Sequence, residues 1–464
     1  MTLYQGRIAT KHSGLMDEIN RSLPVDIRLL PYDVLTNKAW CDELHRLGIL
    51  NADERRSIFA ALDDVARLAR EGAFEKLPDD EDVHTLVERL VTERADEAGA
   101  KIHTGRSRND QVVCDLRMYA CDRTAELSEL VIRLIQTLQK LGAEHAETLL
   151  AGETHLQPAQ VITLGHFLLS LGFALARDLG RLRDSFARAN LCPLGAGALA
   201  GSGFPVDRRR LAEALGFDGV CGNTLDAVSD RDFVQEIVFA CATICLHLSR
   251  CAEQFVIWSN PAFGYVRFAD DWSTGSSMMP QKRNPDAMEL IRAKAARVVG
   301  DATSLSALIK GLPLSYVKDL QEDKPPFFDA LDSTSLCLRV FDAALASARF
   351  DAARMKDALT GDLLATDLAD LLVEAGLPFR VAHEKVGRLV SGLEQQSRSL
   401  SNVGPEELRR QFSELREKRL PLNFADAPAR RRVTGGADPA RIAEQIEMLN
   451  SVIAEKSLRR RLTE

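Results

Sequence analysis

No apolar stretch of the 464-residue sequence that is free of charged residues and of histidine reaches the length of about 20 residues that a bilayer-spanning helix needs. Its two most apolar charge-free stretches, Val161–Ala176 and Ile237–Ser249, are shorter and are interrupted by His166 and His247, so no membrane partner is expected. The opening MTLYQGRIATKHSGLMDEIN has neither an apolar core nor a cleavage-like site, and no secretion signal is expected. None of the nine cysteines stands in a CxxC pair, which argues against a disulfide scaffold and for reduced thiols in the cytoplasm. Cys241, Cys245, His247 and Cys251 share an apolar stretch without zinc-ligand spacing, and no metal is expected. HExxH, Walker A and GxSxG motifs are absent. Gly195, Gly197 and Gly201 miss the G-x-G-x-x-G spacing and no strand pattern precedes them, so no dinucleotide cofactor is expected. Positive charge is in deficit: 59 Lys and Arg against 67 Asp and Glu give a net charge of −8, which argues against nucleic acid as a partner. A small anionic substrate held by a few arginines remains compatible with that balance.

Aromatics are only 6% of the chain and alternating patterns are scarce, whereas Ala, Leu, Arg and Glu abound, a composition that favours helix. Ile58, Leu62, Val65 and Leu68 form a helical stripe within Asn51–Ala73. Breakers cluster at Pro78–Asp82, Cys192–Pro205, Trp272–Pro285, Gly311–Pro313 and Pro421–Pro439. The expected fold is all-α: an N-terminal helical domain over 1–109, a central helix bundle over 110–360, and a C-terminal helical domain over 361–464. Helices apolar nearly all round are hard to bury within one subunit, which suggests oligomerisation. No repeat of solenoid period is found, and the charged tail Leu458–Glu464 is expected to fray.

Four segments gather polar residues where a core helix would have few. HTGRSRNDQ (His103–Gln111), with Asp82 and His84 upstream, sets two arginines and an amide together, a plausible carboxylate clamp because guanidinium offers paired donors; a solvated helix start is the bland alternative. GETHLQ (Gly152–Gln157) places His155 before the apolar helix read from Val161, where it could transfer protons or simply be a satisfied structural residue. STGSSMMPQKRNPD (Ser273–Asp286) reads as a mobile loop, with Asn284-Pro285 as a helix N-cap followed by proline. Glu289 would then fall in the first helical turn, where a carboxylate suits the helix dipole. YVKDLQEDKPP (Tyr316–Pro326) reads as either a site segment or a charged helix end.

Together these segments resemble the fumarase/aspartase superfamily. Gly275–Pro285 matches its GSSxMPxKxNP signature, and GETHLQPAQ (Gly152–Gln160) is similar to its second signature. HTGRSRNDQ, DAVSDRDFV (Asp226–Val234), DLQEDK (Asp319–Lys324) and ATDLADLLVEAGLPFRVAHEKVG (Ala365–Gly387) resemble the argininosuccinate lyase branch. The resemblance spans nearly the whole chain. It implies a homotetramer around a core of about 20 helices, sites built from three subunits, and no cofactor. The implied reaction is reversible β-elimination of argininosuccinate to arginine and fumarate, a step of arginine biosynthesis.

By that resemblance Ser276 is the base, Lys282 and Asn284 meet the developing negative charge, and His155 pairs with Glu289 on the acid side or in support. Ser107, Arg108, Asn109, Thr154, Tyr316, Gln321, Lys324, His84 and Arg231 fall on substrate-binding positions, and Ser22 and Asp26 on positions near a guanidinium. The chain departs from the family pattern at YQGRI (Tyr4–Ile8, for WGGRF), at Asn37–Trp40 (for S-x-x-AH), at Glu153 and at Val317. These departures bear on the amine half, which leaves a lyase acting on another N-substituted aspartate, such as ethylenediamine-disuccinate, as the alternative. A non-catalytic structural role, as in lens crystallins of the family, is disfavoured by the intact Ser276, Lys282, His155 and Glu289.

Overall fold

A computed structural model describes residues 13–77, 79–417, 419–454 and 458–462; the departure at Tyr4–Ile8 lies outside them. After the short α-helical segments Gly14–Asn20 and Leu23–Asp26, the first long helices are α1 (Leu30–Arg46), α2 (Ala52–Glu71) and α3 (Val83–Gly99). The stripe read at Ile58, Leu62 and Val65 is the buried face of α2, which starts at an Asn51/Glu54 capping box and stops at Gly72 in the left-handed region.

Five long helices form the centre: α4 (Arg108–Glu144), α5 (Leu164–Ala189), α6 (Asp232–Ser259), α7 (Asp286–Ile309) and α8 (Lys324–Ala346). α4 packs on α5 and α8, and α6 packs on α5, α7 and α8. α6 is long and apolar enough to cross a membrane, but 56% of its most apolar window is buried inside the protein. Short helices follow, among them α9 (Ala365–Glu374) and α10 (Phe379–Gln395), which form a separate small core with Leu400, Leu408 and Leu415. The last helix, α11 (Pro439–Ile453), returns to lie on α4 and α5. All nine cysteines are free.

Three local expectations are corrected. The apolar run from Val161 does not begin a helix: Leu149–Thr154 (β1) and Gln157–Thr163 (β2) pair as an antiparallel hairpin, and α5 starts only at Leu164 behind the Thr163 cap. Asn284 does not cap α7; it pairs with Thr274 in a two-residue ladder of Thr274–Gly275 (β3) and Arg283–Asn284 (β4), and Pro285 holds the cap position. The described part of the tail, residues 458–462, is docked rather than frayed, and residues 463–464 lie outside the described residues. Arg461 Nε donates to the Leu215 carbonyl at 2.8 Å and Nη2 to that of Gly216 at 3.1 Å, with the guanidinium 4.4 Å over the Phe217 ring. The backbone amides of Arg461 and Leu462 donate to Asp122 at 2.8 and 2.9 Å. Charge did not free this segment, because its partners are carbonyls and a carboxylate far away in sequence.

Arg461→Ala strands those carbonyls, and a charged hydrogen-bond donor lost from a buried site costs about 1.5–3 kcal/mol. The expected result is a lower denaturant midpoint with an unchanged slope in equilibrium unfolding.

Candidate active site

A cavity of about 910 Å³ opens where the N-terminal helices meet the starts of α4 and α8. Of the residues expected to bind substrate, Ser22, Asp26, His84, Ser107, Arg108, Asn109, Tyr316, Gln321 and Lys324 all line it. Each is placed by local structure. The Ser22 hydroxyl donates to Asp26 Oδ2 at 2.6 Å, and the Val83 amide donates to Asp26 Oδ1 at 3.1 Å. Burial raises the Asp26 carboxyl above its ordinary range, while the His84 charge and the Ser22 hydroxyl pull it down.

Ser107 caps α4 in a capping box closed by Asp110. Arg108 therefore leaves the first turn with Nη1 on Gln111 Oε1 at 3.0 Å, and Asn109 Nδ2 donates to the Ala198 carbonyl at 3.1 Å. Gln321 Nε2 donates to the Asn20 carbonyl at 3.2 Å. Burial pushes the Tyr316 hydroxyl up to about 12, so it stays a donor at neutral pH.

Arg231 is not on the cavity. It lies buried behind it, ion-paired to Asp323, whose other oxygen accepts from Lys324 Nζ at 2.9 Å. The cavity also has walls outside the expected substrate-binding set, among them the second arginine of the clamp. Arg106 is buried with its Nε and Nη1 unpartnered, and the loop Gly197–Gly203, set aside as a nucleotide motif, forms one side. His103 is pushed down to about 4, by burial first and then by the charges of Arg106 and Arg108. Asp33, His84 and Asp115 hold three ligand-type atoms within 4.8 Å of one another. Those atoms already face one another and nearby donors, so the cluster does not read as a vacant metal cage.

The remaining expected residues stand elsewhere. His155 and Leu156 form the hairpin turn at φ 56° and 57°, and Thr154 and His155 are exposed. Ser276 and Lys282 ride the loop between β3 and β4, which is pinned at its base by Thr274 against Asp286 and by Arg283 against Asp270. Ser276 Oγ accepts from the amides of Met278 at 3.2 Å and Met279 at 3.1 Å. Glu289 lies 3.9 Å from Arg292, and among the described residues no hydrogen bond or ion pair joins it to His155.

The separation follows from the bundle. α4, α6 and α8 begin at the cavity end, where Arg231, Asp323 and Lys324 meet. α5 and α7 begin at the far end: Glu153 and Thr154 border Trp258 near the end of α6, and Arg292 in the early turns of α7 pairs with Glu253 late in α6. The length of α6, 28 residues, sets the two ends about 40 Å apart.

A long five-helix bundle with site segments at the starts of its helices defines a lyase of the fumarase type. Residues 6–300 match the family model described as lyase, and residues 362–425 match that described as argininosuccinate lyase C-terminal. The solved EDDS lyase in complex with formate is similar, with 28% identity and a TM-score of 0.80 over 92% of this chain and 87% of that one. A class II fumarase from Schistosoma mansoni, at 14% identity and a TM-score of 0.74 over 89% of this chain and 92% of its own, shares the fold. Among curated relatives, the argininosuccinate lyase of Frankia casuarinae is 44% identical over 98% of both chains. That of Carboxydothermus hydrogenoformans is 42% identical over 98% of this chain and 100% of its own. The chain belongs to the argininosuccinate lyase family.

His103 yields a pH prediction. Its folded pKa of about 4 lies below the unfolded value of 6.5, so as pH falls through that window the unfolded state takes up a proton that the folded state refuses. Stability is therefore lost between pH 6.5 and 4. His103→Gln is expected to show a smaller fall in Tm between pH 7 and 5 than the parent, read by thermal melts at matched ionic strength.

Proposed function

We propose that the chain catalyses the reversible β-elimination of argininosuccinate to arginine and fumarate. The observation that carries this reading is the mixed charge of the cavity. Asp26, Glu81 and Asp82 line it together with Arg106, Arg108, Lys318 and Lys324. Argininosuccinate carries carboxylates for the basic groups and a guanidinium for the acidic ones. Ethylenediamine-disuccinate offers no guanidinium and would bring carboxylates to both halves, against Asp26 and its acidic neighbours. The match to argininosuccinate lyases along nearly the whole chain supports the same choice.

The reacting proton sits on carbon beside a carboxylate and is barely acidic. Ser276 takes it, the carboxylate becomes an aci-dianion, and the C–N bond breaks as the amine nitrogen gains a proton. Two backbone amides donating to Ser276 Oγ favour its anionic form, which is what a hydroxyl needs to act as a base. Lys282 and Asn284 stabilise the dianion, each donor of this kind being worth about 2.7–4 kcal/mol of barrier. His155, oriented by Glu289, serves the nitrogen side or supports it, with Thr154 beside it. Ser107, Arg108, Asn109, Tyr316, Gln321 and Lys324 hold the carboxylates, with Arg231 acting from behind through Asp323. Ser22 and Asp26 receive the guanidinium, near His84.

These groups come together only between chains, and the working unit is a homotetramer in the cytoplasm, with each site drawing on three subunits. Supporting this, Phe239 and Leu246 on α6 and Leu290 on α7 are 62%, 48% and 60% exposed in the single chain. Large apolar side chains left bare on bundle helices mark a face that another copy covers. The division at 109 and 360 is proposed with it: apart from Arg108 and Asn109, the first two residues of α4, the bundle helices lie between those bounds.

Purified protein is expected to release fumarate from argininosuccinate, read by ultraviolet absorbance, and to leave ethylenediamine-disuccinate unchanged; the reverse preference would replace the substrate. Ser276→Ala should lower kcat by about 10²- to 10⁴-fold with oligomer size unchanged. Mixing inactive Arg108→Ala and His155→Asn subunits by reversible denaturation should restore activity that neither variant has alone. No recovery would place both residues in the same chain's site.

A further inference from the structure

Behind His84 lie two buried carboxyls, Asp33 and Asp115, that have no part in the roles above. His84 Nδ1 lies 2.8 Å from Asp33 Oδ1 on α1 and 3.3 Å from Asp115 Oδ2 on α4. Asp33 Oδ1 also accepts from Gln111 Nε2, and Asp33 Oδ2 accepts from the Asn37 amide at 2.9 Å. His84, Gln111 and Asn37 all present donors to Asp33, so it is used as an ionised, acceptor-only carboxylate. Burial alone would raise it, but the charges of His84 and Arg106 hold it well below the ordinary carboxylate range.

Asp115 is its opposite. Oδ1 accepts from the Thr36 hydroxyl, Oδ2 has no donor, and burial followed by the charge of Asp33 raises this carboxyl well above its usual range. Two buried carboxyls this close do not both ionise, which puts the shared proton on Asp115. A carboxylate accepting at Nδ1 makes that nitrogen the protonated one and fixes the ring. The consequence is visible on the other side: His84 is only 1% exposed, it lines the cavity, and its Nε2 has no partner. Asp26, Asp82 and His103 also interact with it electrostatically, and Arg106 acts on Asp33.

We propose that Asp33 is a positioning residue that, with a protonated Asp115 beside it, locks His84 so that Nε2 is presented to the bound substrate. The proposal rests on the reading that this cavity binds the N-succinyl substrate. Asp33→Asn must turn an amide NH₂ toward groups that are all donors, which releases the ring. Asp115→Asn keeps a donor where the protonated acid has one.

Kinetics on argininosuccinate, with size and far-ultraviolet spectra confirming the fold, separate the outcomes. Asp33→Asn is expected to lower kcat/KM by about 10- to 100-fold, the usual loss when a carboxylate that orients a histidine is removed. Asp115→Asn should cost at least about tenfold less, and in a His84→Ala background Asp33→Asn should change kcat/KM by less than about twofold. Equal costs for the two substitutions, or a full Asp33→Asn penalty without His84, would overturn the proposal. The ¹⁵N spectrum of the histidines, with His84 identified by its loss in His84→Ala, decides independently of activity and of whether Asp33→Asn folds. A proton on Nδ1 is expected in the wild type, and a bare Nδ1 would overturn the dyad. A wild type inactive on argininosuccinate but with Nδ1 protonated would sink the functional reading while keeping the dyad.

Discussion

The cavity depends on the way Asp110 is buried at the start of α4. One oxygen accepts from the Ser107 amide at 3.0 Å, and the other from the amides of Gly195 and Gly197 at 3.0 and 2.8 Å. Burial pushes this carboxyl up to about 6, and the amides of Gly197, Ser107 and Gly195 work against that rise. The helix start and the glycine loop are thereby tied to one charge, which sets Ser107, Arg108 and Asn109 facing the loop across the cavity. Gly197 has φ +61°, and a Cβ there would stand 3.0 Å from the Gly201 carbonyl, so the loop can follow this path only with glycine.

From that end the bundle imposes its own rule. Apart from Ser22, Asp26 and His84, the segments proposed to carry chemistry sit just before or at the start of a bundle helix: Ser107–Asn109 at α4, His155 before α5, Arg231 at α6, Ser276–Asn284 before α7 and Lys324 at α8. Helix starts suit anions, because their free amides and the dipole point toward the ligand. Successive bundle helices run antiparallel, so alternate starts lie at opposite ends, and on the proposed roles a single chain presents two half-sites about 40 Å apart. Closing that gap by bending one chain would destroy the bundle. In the proposed assembly, setting the far end of one copy against the near end of another would leave the fold intact and would cover the exposed Phe239, Leu246 and Leu290.

Helices were legible because apolar spacing and caps act within a few residues, as at Asn51 and Ser107. The cavity residues were legible because their motif places most of them on loops and helix starts. What escaped depends on distant partners or on turns without their usual residues. The hairpin turn uses His155 and Leu156 in the left-handed region, where glycine or asparagine would have announced it. Asp33 and Asp115 lie on helices that carry several other acids, and no local pattern tells a buried carboxylate from a solvated one. Arg231 was read as touching substrate, yet its charge is spent on Asp323, one step removed from Lys324.

The departures from the family pattern bear on the same network. Trp40 is fully buried and donates from Nε1 to the Thr104 carbonyl at 3.0 Å, so it braces the loop that delivers Arg106 without reaching the cavity. Val317 lies between two cavity residues but does not line the cavity, and Glu153 is exposed at the far end of the bundle. Asn37, which stands where serine is usual, donates to Asp33 and accepts from Arg106, joining the carboxylate to the guanidinium. An amide can give and take at once, whereas a hydroxyl at that position would have to span both with one oxygen. The departures at Asn37 and Trp40 therefore act on the support behind the cavity, and the Ser22–Asp26 pair proposed for the guanidinium is left unaltered.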